Sequence, residues 1–116
     1  MKMEPLAPNG DVQSCPVTFS LSVIGGKWKP VILYCIANGV DRFGAMQRAV
    51  PGITKQMLTK QLRDLEAHGI ISRHVHPEVP PRVDYALTEV GRSVLPIIKQ
   101  LELWGRANMT ARKSAG

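Results

Sequence analysis

Lys55, Gln56, Thr59, Lys60 and Arg63 crowd into one short stretch of the chain. Their side chains end in ammonium, carboxamide, hydroxyl and guanidinium groups, the donors and acceptors that bond phosphate oxygens and match base edges in a major groove. No paired carboxylates and no nucleophile with an adjacent base accompany them, so the chemistry they offer is recognition and not catalysis. At about 100° per residue, Leu58, Leu62 and Leu65 fall on one arc of a helix and these five polar residues on the neighbouring arc. A merely solvated helix face would carry similar residue types, so the surrounding elements must decide between the two readings. Asp64 and Glu66 would repel phosphate, which concentrates the expected contacts in the N-terminal half of the helix.

Other residues could do chemistry elsewhere. Arg82 follows Pro80-Pro81, and a cation on a stiff proline tip suits a narrow minor groove, where the negative potential is enhanced. Cys15 precedes Pro16 at an expected helix start. There it is either a small apolar residue packed between the first and last helices, or a thiolate stabilised by the helix dipole and open to oxidants or electrophiles. Cys35 lies within the most apolar stretch and reads as inert core. His74 and His76 share one face of an expected strand, but two imidazoles without a third ligand do not make a metal site, and no metal is expected. Trp28 and Trp104 read as packing anchors, and Gly25-Gly26-Lys27 lacks the remainder of a phosphate-cradling loop and reads as a turn.

The elements that must hold these groups follow from turn signals and periodicity. Pro16 starts a short helix bearing Val17, Leu21 and Ile24, which Gly25-Gly26 ends. Lys27 to Asn38 is apolar almost all round and marks a buried central helix. Asp41 to Phe43 suits an edge strand or turn, and a short third helix then closes at Pro51-Gly52. Thr54 is placed as the N-cap of the basic helix and Gly69 as its stop. Ile71 to His76 and Val83 to Leu87 alternate as two strands of a hairpin around the tip Pro77-Glu-Val-Pro-Pro-Arg82, whose prolines cannot join a ladder. Thr88 caps a final helix in which Val90, Val94, Ile97, Leu101 and Trp104 form an extended apolar seam, widened by Leu95 and Ile98 and interrupted by Pro96. A seam that long calls for a partner helix from a second subunit. The order of helix, turn, helix and hairpin is that of a winged helix, and in that frame a basic helix stands where duplex docking needs one. The fold class expected is mainly α with a small β-hairpin.

With 116 residues and 44% hydrophobic content, the chain suits one compact domain that buries roughly 65% of its unfolded surface. The formal charge of +6 favours an anionic partner. No apolar run approaches the roughly 20 residues of a bilayer span, and Met1 to Asp11 lacks the regions of a signal peptide, so no membrane partner and a cytoplasmic location are expected. In that compartment Cys15 and Cys35 should rest as thiols. Residues 1–14 are expected as a flexible arm, residues 15–107 as the folded domain and residues 108–116 as a flexible basic tail.

Cys15-Pro16, Ile24-Gly-Gly-Lys-Trp-Lys29, Arg42-Phe43, Pro51-Gly-Ile53, Leu58-Thr-Lys-Gln-Leu-Arg63, Pro77-Glu-Val-Pro-Pro-Arg-Val83 and Leu87-Thr-Glu-Val-Gly-Arg92 together resemble the HxlR-type winged-helix transcriptional regulators, relatives of the MarR group. The resemblance spans roughly residues 15–105. It implies a homodimer held by the terminal helices, with Val17 and Leu21 joining Val94, Ile97, Ile98, Leu101 and Trp104 at the interface. It also implies a pseudo-palindromic double-stranded DNA operator and control of neighbouring genes, most often by repression. Thr54 to Arg63 match the groove-reading helix, Arg82 the wing arginine, and Lys27, Lys29 and Arg42 positions flanking the DNA backbone. Cys15 matches a position that carries a redox-responsive thiol in several members, so a small-molecule or electrophile effector is the further partner class. No enzymatic activity and no cofactor are expected. The rival expectation is a winged helix that binds another protein through the same helix and hairpin, without operator specificity.

Overall fold

The computed structural model describes residues 14–115, with side chains through residue 109. Helix α1, Pro16–Ile24, has proline in its first turn and Cys15 as its N-cap residue, and ends where Gly25 bonds back to the Leu21 carbonyl. Helix α2, Lys29–Ala37, buries Ile32, Leu33, Cys35 and Ile36. That burial explains its nearly continuous apolar sequence: a helix covered on most sides needs no polar face. Helix α3, Phe43–Ala49, contributes the fully buried Met46. The turn after it passes through Gly52 at φ +86°, a conformation that glycine adopts without a Cβ penalty. Helix α4, Lys55–Ala67, then begins with the Thr54 hydroxyl accepting the Met57 N–H at 3.0 Å, the N-cap bond expected of threonine.

The centre of the molecule is Ile32 and Leu33 of α2, Met46 of α3, Leu58, Leu62 and Leu65 of α4, and Ile71 of the hairpin, all essentially inaccessible. Strand β1, Ile71–His76, pairs antiparallel with β2, Arg82–Leu87, in a register that sets Ile71 opposite Leu87, Arg73 opposite Tyr85 and Val75 opposite Val83. Asp41 and Arg42 lie along the other edge of β2. The Tyr85 N–H donates to the Asp41 carbonyl at 2.9 Å, and Arg42 bridges Asp84, which makes the expected edge segment a stub of a third strand.

Helix α5, Glu89–Ala115, is capped by the Thr88 hydroxyl, which accepts the Gly91 N–H at 3.0 Å. A Cβ at Gly91 would collide with the Ile70 carbonyl oxygen, so glycine here lets the helix lie against the start of the hairpin.

Three expectations are corrected. The final helix does not end near Arg106 with a loose tail from residue 108 but continues to Ala115. No glycine or proline interrupts residues 106–115, and alanines there favour the helix. The apolar seam is split: Val94 and Ile98 are buried in the subunit's own core, whereas Ile97, Leu101 and Trp104 are at least half exposed. Residues at i and i+4 share a face, and α5 turns that face toward α2, which removes Val94 and Ile98 from any surface offered to a partner. Trp104, at 65% exposure, does not anchor the subunit's own core. The expected N-terminal arm, apart from Ser14, lies outside the described residues.

Candidate nucleic-acid interface

Helix α4 turns Leu58, Leu62 and Leu65 inward with Gln61, whose amide donates to the Met57 sulfur at 3.1 Å. This burial fixes the rotation of the helix. The opposite consequence is that Lys55, Gln56, Thr59, Lys60, Arg63 and Asp64 line one shallow open concavity. The side chains of Lys55, Gln56, Lys60 and Arg63 are exposed and Thr59 is half-exposed. The Thr59 hydroxyl donates to the Lys55 carbonyl at 2.8 Å, so toward a ligand it can offer its oxygen lone pairs and its methyl group.

Asp64, read from sequence as a repelling charge, is compensated. Its Oδ2 lies 3.2 Å from the Lys60 ammonium and 3.5 Å from that of Lys29. Hydrogen bonding from Lys60, with the Coulombic attraction of Lys60 and Lys29, holds its carboxyl below the usual range against the opposing effect of desolvation. The Lys60 pair was legible as an i,i+4 spacing. The Lys29 pair, between α2 and α4, was not.

The flanking basic residues divide. Lys29 keeps only 13% of its side chain exposed and faces Asp64, so it braces α4 and does not stand free on the surface. Lys27 is exposed and rests 4.7 Å above the Trp28 ring, a cation–π contact that limits its freedom. Arg42 is exposed at the N-cap of α3. Arg82 opens β2 at the base of the tip, with Glu78 at 3.6 Å and Asp84 at 3.4 Å. Between α4 and the hairpin a cavity of about 540 Å³ is lined by Thr59, Arg63, Glu66 and Arg73 together with Phe43, Leu62, Val83 and Tyr85, so helix and wing border one cleft of mixed polar and apolar character. Asp84 was not singled out from sequence. The available signal was strand alternation, which sets it on the same face as Arg82.

Cys15 is buried but stands apart from the main core cluster. The backbone N–H of Thr18 lowers the thiol pKa. Desolvation opposes that effect, and the Thr18 hydroxyl and Val17 N–H assist it. Cys35 is raised by burial alone. His74 and His76 each have a local partner, Ser72 and Asp84, both at 2.8 Å.

Among the described residues, five α-helices and a two-stranded antiparallel hairpin in this order, with the second helix of the turn exposed and basic, define a winged helix-turn-helix DNA-binding protein of the MarR-like kind. Residues 23–113 match the family described as HxlR-like helix-turn-helix. The chain belongs to that family and is a transcriptional regulator, not an enzyme. An uncharacterized HTH-type transcriptional regulator of Bacillus subtilis, YybR, is 49% identical over 88% of this chain and 82% of its own length. A regulator so described from Methanothermobacter thermautotrophicus is 45% identical over 91% and 81%. Among solved structures, the redox regulator HypR in its oxidized form superposes with a TM-score of 0.78 at 52% identity, over 80% of this chain and 96% of that one. Its reduced form gives 0.78 at 49%, over 85% and 98%. No helix among the described residues is long and apolar enough to cross a membrane.

Proposed function

We propose that the protein binds a pseudo-palindromic operator as a homodimer and represses the genes beside it. The carrying observation is the face of α4, where Lys55, Gln56, Thr59, Lys60 and Arg63 stand together on a helix whose rotation is fixed by buried leucines. Lys55, Lys60, Lys27 and Arg42 supply phosphate contacts and hence affinity, while Gln56, Thr59 and Arg63 reach base edges and supply choice. The exposed Ile97, Leu101 and Trp104 of α5, with Val17 and Leu21 of α1, form the apolar surface through which two subunits associate. The two α4 helices then enter grooves about 34 to 36 Å apart, or a multiple of that spacing.

Cys15 is the sensor in this reading, supported by its lowered pKa at a helix start and by the redox regulators among the similar structures. The thiolate Sγ adds to a ring carbon of a quinone, forming one C–S bond, and the displaced electron pair reaches the quinone oxygen, which takes up a proton. The bulk added beside α1 shifts the subunit contact and the spacing of the reading helices.

Selection from random duplexes tests the operator reading. It should return paired half-sites, with a log K against log salt slope near −5 if each subunit neutralises about three phosphates. Arg63→Ala should weaken preference for the selected site by about 1 to 3 kcal/mol. No enriched sequence, together with a slope near zero, would point to a protein partner and discard operator binding.

A further inference from the structure

Side chains alternate along a strand, so Arg82 and Asp84 share one face of β2. The register sets His76 opposite Arg82 and His74 opposite Asp84 on that face. Asp84 is the node of this group. Its Oδ2 lies 2.8 Å from His76 Nε2, and its Oδ1 lies 3.4 Å from Arg82 Nε and 3.8 Å from Arg42 Nε. The carboxylate is only 24% exposed. Its Oδ1 and Arg82 Nε are both sealed from solvent, and neither makes a well-formed hydrogen bond.

These contacts have a cost that stability of the hairpin does not explain. The strand ladder is complete from Ile71 to His76, and the Tyr85 N–H already ties β2 to Asp41, so the sheet closes without the carboxylate. A negative charge kept beside a surface meant for a polyanion also weakens its attraction. What the carboxylate does is hold two cations from different elements: Arg82 from the base of the hairpin tip and Arg42 from the N-cap of α3. With Nε turned inward, Arg82 directs its terminal nitrogens outward, where among the described residues Glu78 lies 3.6 Å from Nη1.

We infer that Asp84 is the positioning residue of the wing, aiming the Arg82 and Arg42 guanidiniums at the duplex and locking the hairpin to the helix-turn-helix. This rests on the operator reading above. Arg82 then meets the minor groove as a pre-ordered fork and not as a free surface charge, and the contribution of Asp84 is to choice of site and not to raw affinity.

Asp84→Asn keeps the shape and removes the charge. Its affinity for random-sequence duplex should stay the same or rise, while its preference for the selected operator falls about tenfold, the scale of one lost groove contact. Arg82→Lys keeps the charge but not the fork and should also lower that preference, and the double variant should fall no further than Asp84→Asn alone, because the change at Arg82 breaks a contact that Asp84→Asn already breaks. Unchanged preference in Asp84→Asn, losses that add in the double variant, or equal weakening on both duplexes would overturn the inference. Nitrogen relaxation at Arg82 Nε supplies a readout without DNA: ordered in the wild type, loosened in Asp84→Asn, with equal order in both discarding the positioning role. A wild type that shows no sequence preference, yet has an Arg82 that loosens in Asp84→Asn, would remove the operator reading alone and leave the positioning in place.

Discussion

At the scale of single residues, the two thiols show how position sets reactivity. Cys15 and Cys35 are both buried, yet the first is lowered by the N–H groups of a helix start and the second is raised by an apolar surround. Thiolate is the nucleophile, so the population of reactive species is shifted toward Cys15. Operator release by a quinone should therefore be abolished in Cys15→Ser and preserved in Cys35→Ser, as followed by fluorescence anisotropy of labelled duplex. Release that persists in Cys15→Ser would remove the thiol switch. Lys29 carries the opposite lesson: a basic residue in a recognition motif can face inward. Its compensation of Asp64 lets an acidic residue sit on the basic face of α4 without standing there as a bare charge.

At the scale of elements, α4 was legible because several independent signals agree on it. Its leucine arc, its threonine cap and the glycine after it all specify the same helix in the same rotation, and the structure has Leu58, Leu62 and Leu65 buried and Thr54 bonded to Met57. The hairpin was legible from the pairing of two alternating runs around a proline tip. The final helix was not, in two respects. Its apolar stripe is broad enough to face either of two directions, and periodicity cannot choose between them. Its end has no stop signal, and a polar, basic composition suits a loose tail as well as a helix, whereas the backbone is helical to Ala115. The junction of α5 with the hairpin rests on Gly91. Gly91→Ala should destabilise the fold by about 1 to 3 kcal/mol, the usual range for overpacking, because the Ile70 carbonyl cannot move away from a helix start without breaking its bond to Thr88. Urea unfolding checks this, and a variant as stable as the wild type would show that the contact yields freely.

At the scale of the whole molecule, α5 is clamped across α2 by Glu102. The Tyr34 hydroxyl, then Lys99, with Arg106 adding attraction, lower its carboxyl from the ordinary 4.5 to about 2 against the effect of desolvation. A lowered carboxylate stabilises the folded form fully above its unfolded value, and that stabilisation is lost as pH falls through the folded value. Acid unfolding should therefore draw on Glu102 between pH 4.5 and about 2. Glu102→Gln should show a shallower loss of stability across that window by circular dichroism, and an identical pH profile would mean that the clamp is not formed in solution. The same helix carries Ile97, Leu101 and Trp104 outward, so a clamp that orients α5 on its own subunit also sets the angle at which it would meet a second one.

The order of helices and strands, the basic face of α4 and the family resemblance follow from the chain itself, because caps, stops and short-period patterns act over a few residues. Which charges remain free and which are held was decided only on folding. Lys29 meets Asp64 across two helices, and Asp84 gathers Arg82, Arg42 and His76 from a strand, a cap and a neighbouring strand. The Lys29–Asp64 and Arg42–Asp84 pairs join residues far apart in sequence, and a Coulomb interaction depends on the distance between side chains and not on their separation along the chain.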